Sequence, residues 1–241
     1  MPERGLPSPE NEPSSIMSYD WDNLVILDGC RYDLFVDTIG EAEKRTSLGS
    51  CSSEFVERTF TEGSYEDIVY ISANPHLHSS KFKNLTGRDP EDVFHSVFHT
   101  YQTDWNYEEK TVLPSTVCRD VKTAEKLFPN KRKIIHFMQP HHPFVTCDLN
   151  EEGMTPDLEA RGNSAWEKAE RGEIPRSEMW QGYKENLEYV WGYVKEISKN
   201  LDGQTCVTAD HGNFIGENGL YHHPAECRTK PVREVPWKTI N

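Results

Sequence analysis

Apolar residues fall into a few short dense runs separated by long polar stretches, and the runs show two different periods. "NLVILDG" (Asn23–Gly29), "DIVYISANP" (Asp67–Pro75), "KIIHFMQP" (Lys133–Pro140) and "QTCVTADHG" (Gln204–Gly212) are short, rich in apolar and β-branched residues, and closed by polar clusters. That pattern is expected of parallel strands buried on both faces. Open α/β sheets place their sites at the C-terminal ends of such strands, where the polar clusters fall.

A period near 3.6 marks the helices. In Arg176–Leu201 the positions Trp180, Tyr183, Leu187, Tyr189, Val190, Val194, Ile197 and Leu201 approximate that period, and Gly203 stands as a stop signal. Helices are also expected over Arg31–Gly40, Asp89–His99 and Ser115–Phe128. Strand alternating with helix predicts an α/β fold, a three-layer sandwich around a largely parallel central sheet. Met1–Ser18 is rich in Pro, Ser and Glu and is expected to be disordered. Residues 19–241 are then expected to form one domain, with a polar loop insertion expected at 147–175.

Composition narrows the function classes. With 241 residues the chain can bury one full α/β core. The net charge of -14 argues against a nucleic-acid binder, which needs a basic face. Six cysteines without a CxxC pair exclude a zinc ribbon and a small disulfide scaffold. No apolar run reads as a signal peptide or is long enough to span a membrane, so a cytoplasmic location is expected. An acidic protein that handles an anionic substrate needs a local positive centre, and a metal ion supplies one.

The strand ends carry the candidate chemistry. Asp28 closes the first strand, where Asp-Gly is also a common turn pair. Asp210 and His211 close the last one, in "TADHGNFIGENG" (Thr208–Gly219). Carboxylate oxygen and imidazole nitrogen are ligands that divalent ions take, and adjacent residues on a turn can both point into one site. The same pair would also suit an exposed polar turn.

"TADHGNFIGENG" resembles the "T-x-DHG-x-x-x-GE-x-G" signature of the sulfatase and alkaline-phosphatase superfamily, in particular its small archaeal-type sulfatase-like members. "VILDGCRYDLF" and "HFMQPHHPF" resemble further blocks of that family in the same order. The resemblance implies an alkaline-phosphatase-like fold that lacks most of the family's C-terminal subdomain. It makes Asp28, Asp210 and His211 metal ligands and puts His141 near the substrate, whereas His136 falls inside a strand. His223, in "YHHP", matches the family's "G-H-P" element and is a candidate ligand, substrate contact or proton donor. Arg31 and Asp33 match the first block in a structural capacity.

The family's nucleophile stands at a helix N-terminus, and here "SLGSCSSEF" (Ser47–Phe55) is the matching stretch. Cys51 occupies the position of the sulfatase cysteine, but the Pro and Arg of C-x-P-x-R are missing, so formylglycine is not expected. Ser52 is preferred over Cys51, because a serine oxygen is a hard ligand suited to a site built of O and N donors. A serine-rich run would also serve as a plain helix cap. Gln139 stands where a second-metal Asp would, which implies one divalent ion (Zn, Mn, Ca or Mg) rather than two.

The resemblance therefore implies a metal-dependent hydrolase or transferase acting on phosphate or sulfate esters through a covalent enzyme ester. A phosphodiester or sulfate ester is favoured over a dianionic monoester. The substrate would be a small-molecule or glycan- or lipid-linked anionic ester. The alternative is a degenerate member that binds a ligand or partner without turnover.

Overall fold

The computed structural model describes residues 5–149 and 163–241. In chain order the elements are β1 (Asn23–Leu27), α1 (Tyr32–Thr38), β2 (Glu43–Thr46), α2 (Ser52–Phe60), β3 (Tyr65–Ser72), α3 (Ser79–Thr86), α4 (Pro90–Val93) and β4 (Phe94–Phe98). Then follow α5 (Thr100–Thr103), α6 (Pro114–Leu127), β5 (Arg132–Phe137), α7 (Ala165–Glu170), α8 (Arg176–Ser198), β6 (Thr205–Thr208), β7 (Phe214–Glu217), β8 (Leu220–His222), α9 (Lys230–Arg233) and β9 (Glu234–Thr239).

Seven strands form one sheet in the order β2-β9-β6-β1-β5-β3-β4. Pairing is parallel from β6 through β1, β5 and β3 to β4. Only β9 runs against its neighbours, pairing antiparallel with β6 and β2. Strands β7 and β8 make a separate hairpin.

Every residue of β1 is buried, and successive side chains enter opposite cores. Val25 and Leu27 join one core, with Leu34 and Phe35 of α1, Val117 and Val121 of α6, and Tyr183, Leu187 and Val190 of α8. Leu24 and Ile26 join the other, with Phe55, Val56 and Phe60 of α2 and Phe82 of α3. Two apolar faces on one sheet demand two helical layers, so the sandwich is three layers deep. The expected α/β fold and mostly parallel sheet are both present.

One expectation is corrected, and two further segments are described in part. The helix expected over Asp89–His99 is one turn, α4, followed by strand β4. The neighbours Val97 and Phe98 pack on opposite cores, as successive strand residues do, and pairing with β3 outweighs the weak helical period. The segment expected to be disordered is packed at its end. Ile16 is buried beside Trp21, Ser14 N–H donates to Thr46 O at 3.1 Å, and Trp21 donates to Ile16 O at 2.9 Å. The stretch 147–175 lies partly outside the described residues, and its described end is not all loop. Ser164 and Glu167 form a capping box that starts α7, and α7 buries Trp166.

Candidate active site

Four neighbouring strands deliver polar side chains to one edge of the sheet. Asp28 follows β1, Asp210 and His211 follow β6, and Asn74 follows β3. His136 lies on β5 opposite Ile26 and Ser72, one residue short of that strand's end. All five are buried to within 2% of full exclusion. Gly29 makes the close approach possible: its φ is +64°, and a Cβ there would meet the Asn213 amide at 2.6 Å.

Ser52 enters this cluster from the first turn of α2. Its hydroxyl donates to Asp210 Oδ2 at 2.7 Å, accepts from Asn74 Nδ2 at 3.0 Å, and lies 3.3 Å from His211 Nε2. The start of α2 is tightly specified. Glu54 accepts from Ser50 N and Oγ at 2.8 and 2.9 Å and from Glu226 N at 2.8 Å, while pairing with Arg58. A Cβ on Gly49 would sit 2.4 Å from Phe55 N, so only glycine lets the loop fold under the helix. Cys51 is the N-cap residue, and its sulfur contacts Ser53 Oγ at 3.2 Å rather than the cluster. Burial pushes the Cys51 thiol up, which disfavours the thiolate.

Carbonyl partners fix the histidine tautomers. His211 Nδ1 lies 2.8 Å from Gly212 O and His141 Nδ1 lies 2.8 Å from His142 O. A carbonyl only accepts, so both Nδ1 atoms carry hydrogen, and in the neutral form of either ring Nε2 presents its lone pair. His141 Nε2 is 3.1 Å from His223 Nε2, so His223 donates this bond. The His223 ring also packs 4.3 Å from that of His211. Burial holds both His141 and His223 well below the usual histidine range. Asn186 of α8 holds the loop that carries His141, donating to Pro140 O and His141 O at 3.1 Å. His222 lies outside this contact, half-buried and facing Trp166.

Asp28, His136 and Asp210 offer ligand atoms that all lie within 4.8 Å of one another. Nε2 of His211 is 3.6 Å from a carboxylate oxygen of each aspartate; Nε2 of His136 is 4.0 and 3.7 Å away. These gaps exceed hydrogen-bond distance. They are close to the roughly 3.3–3.6 Å that separates ligand atoms on one tetrahedral ion with bonds of about 2.0–2.2 Å. His136 Nδ1 contacts Tyr70 OH at 3.0 Å, while its buried Nε2 has no hydrogen-bond partner. Burial lowers His136 to about 4, so the ring is neutral and suited to ligation.

Burial, reinforced by the charge of Asp210, raises Asp28 well above the usual carboxylate range. Burial acts to raise Asp210 too, but His211, His136, the Ser52 hydroxyl and the Gly29 N–H together hold it low. Two buried carboxylates of opposite tendency suit a divalent cation that would let both ionise. The residues present therefore fit a metal of the N/O-ligand class.

The structure thus gathers Asp28, Asp210, His211 and Ser52, with His141 and His223 alongside, and leaves Cys51 out. Gln139 is also outside the group, its amide donating to Val112 O at 3.1 Å. Arg31 is structural: its buried guanidinium pairs with Asp33 and Glu217 and donates to Asn213 O. Asn74 was missed, and His136 was set aside as lying inside a strand. "SANP" closes a strand with a polar residue, the same signal that singled out Asp28, whereas His136 sits in an apolar run that conceals it.

No family model and no curated protein sequence matches the chain. Solved structures do. The soluble domain of lipooligosaccharide phosphoethanolamine transferase A from Neisseria meningitidis superposes with a TM-score of 0.59 at 15% identity, over 90% of this chain and 75% of that one. The chain spans about half (49%) of the integral membrane form of that transferase. The C-terminal periplasmic domain of phosphoethanolamine transferase EptC from Campylobacter jejuni gives 0.55 at 13% identity, covering 91% and 78%. An alkaline-phosphatase superfamily protein from Vibrio parahaemolyticus gives 0.50 at 11%, covering 96% and 62%. Among the described residues no helix is long and apolar enough to cross a membrane.

Proposed function

We propose that this chain, which has the fold of the sulfatase and alkaline-phosphatase superfamily, is a metal-dependent phosphoester transferase or hydrolase with Ser52 as its nucleophile. The carrying observation is the Ser52 hydroxyl at the start of α2, shared among Asp210 at 2.7 Å, Asn74 at 3.0 Å and His211 at 3.3 Å. A hydroxyl so placed combines a proton acceptor, an orienting donor and a helix N-terminus that favours anions.

Asp28, Asp210 and His211 would hold the ion, with His136 placed to join them. Once bound, the ion would supply Lewis-acid activation of the serine and neutralise charge on the phosphoryl group. Ser52 Oγ forms the new P–O bond and its proton passes to Asp210 Oδ2. The P–O bond to the leaving group breaks, and the leaving oxygen takes that proton from Asp210, with the neutral His223 N–H as a hydrogen-bond donor beside it. Water or an acceptor alcohol then attacks the serine ester, and its proton passes through Asp210 to Ser52 Oγ as the P–O bond to Ser52 breaks. Asn74 orients the serine throughout.

A phosphodiester is the substrate class this charge balance supports. The cluster holds two carboxylates and no arginine or lysine, which suits a monoanionic group better than a dianionic monoester. The structural neighbours named as phosphoethanolamine transferases support transfer of a phospho-alcohol group to a hydroxyl acceptor.

The test is turnover of bis-p-nitrophenyl phosphate with Mn or Zn. Ser52→Ala is expected to lose at least about a thousandfold in rate, while Cys51→Ala retains activity. Loss in Cys51→Ala with retention in Ser52→Ala would overturn the assignment. Failure of the wild type to turn over any ester, with no metal bound, would return the chain to the class of degenerate binding proteins.

A further inference from the structure

A cavity of about 440 Å3 lies between the N-terminal segment and the loop that leads into α2. Arg58, Arg228 and Arg233 line it, and its one lining carboxylate, Glu12, is exposed. Arg233 is 4% exposed, and its Nε and Nη2 both donate to Ser47 O. Among the described residues neither Arg233 nor the exposed Arg228 has an ion-pair partner. Arg58 is paired with Glu54. Three guanidiniums facing one cavity are out of character for a chain of net charge -14. A buried guanidinium without a direct ion-pair partner is costly, and an anion entering the cavity would offset that cost.

Residues of the N-terminal segment are fastened across this cavity. Lys230 N–H donates to Pro7 O at 2.9 Å, Asn11 donates to Lys44 O at 3.2 Å, and Glu10 pairs with both Lys44 and Lys230. Pro9 and Pro13, which line the cavity, lie in this stretch. Burial, followed by the neighbouring charge of Arg58, pulls Arg233 below its usual range, and the opposing charge of Glu54 does not cancel this. The forked donors of guanidinium match the oxygens of a phosphoryl group better than they match a halide.

We infer that this cavity is a second binding site, separate from the Ser52 cluster, for a phosphoryl group held by Arg58, Arg228 and Arg233 beneath the N-terminal segment. Ser47 is its link to the reacting centre: its carbonyl accepts from Arg233 and its hydroxyl donates to Asp210 O. The group could arrive as free phosphate or as a phospholipid headgroup, and the same arginines would recognise either.

Calorimetric titration of the full, EDTA-treated chain with inorganic phosphate tests the site. Binding at one equivalent is expected, weakened about tenfold or more by Arg228→Gln and by Arg58→Gln and unchanged by Ser52→Ala. Arg228 is exposed, so its substitution leaves the fold in place, which thermal unfolding checks. Flotation with phosphatidylglycerol vesicles separates the two sources: binding lost in Arg228→Gln assigns the site to a headgroup, and phosphate binding without flotation assigns it to a soluble ligand. Absence of both, or binding indifferent to both arginine substitutions, would overturn the inference.

Discussion

The side-chain amide of Asn74 bridges Asp28 and Ser52, donating to Asp28 Oδ2 at 2.6 Å and to Ser52 Oγ at 3.0 Å. Its own orientation is fixed from behind, since Asn74 Oδ1 accepts the backbone N–H of His76 at 2.8 Å. One residue thereby ties the metal-ligand candidate on β1 to the nucleophile candidate on α2. Removing a preorganised donor of this kind typically costs about 10²–10³ in kcat. Asn74→Ala is expected to lose that much in kcat with little change in KM, as measured on a phosphodiester substrate. A variant with wild-type kcat would remove Asn74 from the site.

Metal removal should be visible without any assay of turnover. The cluster places two carboxylates against the imidazoles of His136 and His211, and an ion lets Asp28 release the proton that burial forces on it. Saturating Zn or Mn at a hundred times Kd would add about 2.7 kcal/mol of stability. For a chain of this size that is a rise in Tm on the order of 5–10 °C. Addition of metal to the EDTA-treated protein in weak buffer should also release protons. Asp210→Asn is expected to abolish both signals; a full Tm rise in that variant would place the metal elsewhere.

His76 gives a pH dependence of defined sign. Burial, with a smaller push from the charge of Lys81, lowers it from 6.5 to about 4. Its folded pKa lies below its unfolded one, so the unfolded chain binds more protons between those values. Stability is therefore lost as pH falls from about 6.5 towards 4. At pH 5 this loss is on the order of 2 kcal/mol from His76 alone. Urea unfolding of wild type and His76→Asn at pH 7 and pH 5 should show the smaller decrease in the variant. Equal decreases would mean that His76 is solvated in the folded state.

The sheet was legible because strands buried on both faces leave dense apolar runs, and the strand ends Asp28, Asp210 and His211 follow directly from those runs. Helix α8 was legible from its long 3.6-residue period. Strand β2 was not, because "EKRT" pairs only with β9 and leaves Glu43 exposed, so it carries no apolar signature. Strand β4 was hidden because five residues are too few to separate a period of 2 from one of 3.6. Within the site, His136 is reached only through register: its pairing opposite Ile26 and Ser72 sets its depth in the sheet, and no linear pattern encodes that. Donor chemistry favoured Ser52 over Cys51, and the first turn of α2 turns one inward and the other aside.

Arg31 joins fold and site through the β7–β8 hairpin. Its side chain is 6% exposed and contacts Asp33 at 2.6 Å, Glu217 at 2.7 Å and Asn213 O at 3.0 Å. Glu217 in turn accepts the backbone N–H of Ile215, so the pair fixes the turn of the hairpin that leads into His223. Truncating one partner of a buried ion pair leaves the other charge uncompensated, a loss of about 3–5 kcal/mol. The half-exposed Asp33 contributes little to that figure, because solvent screens it, which leaves Glu217, retaining only the longer contact to the exposed Arg176 at 3.6 Å, as the group that suffers. Arg31→Met is expected to destabilise the chain towards the lower end of that range. The double variant Arg31→Met/Glu217→Gln should recover part of the loss, because it removes the stranded charge. Urea unfolding of the two variants beside wild type measures both effects. A double variant no more stable than the single one would show that packing of the arginine stem, not its charge, holds the hairpin.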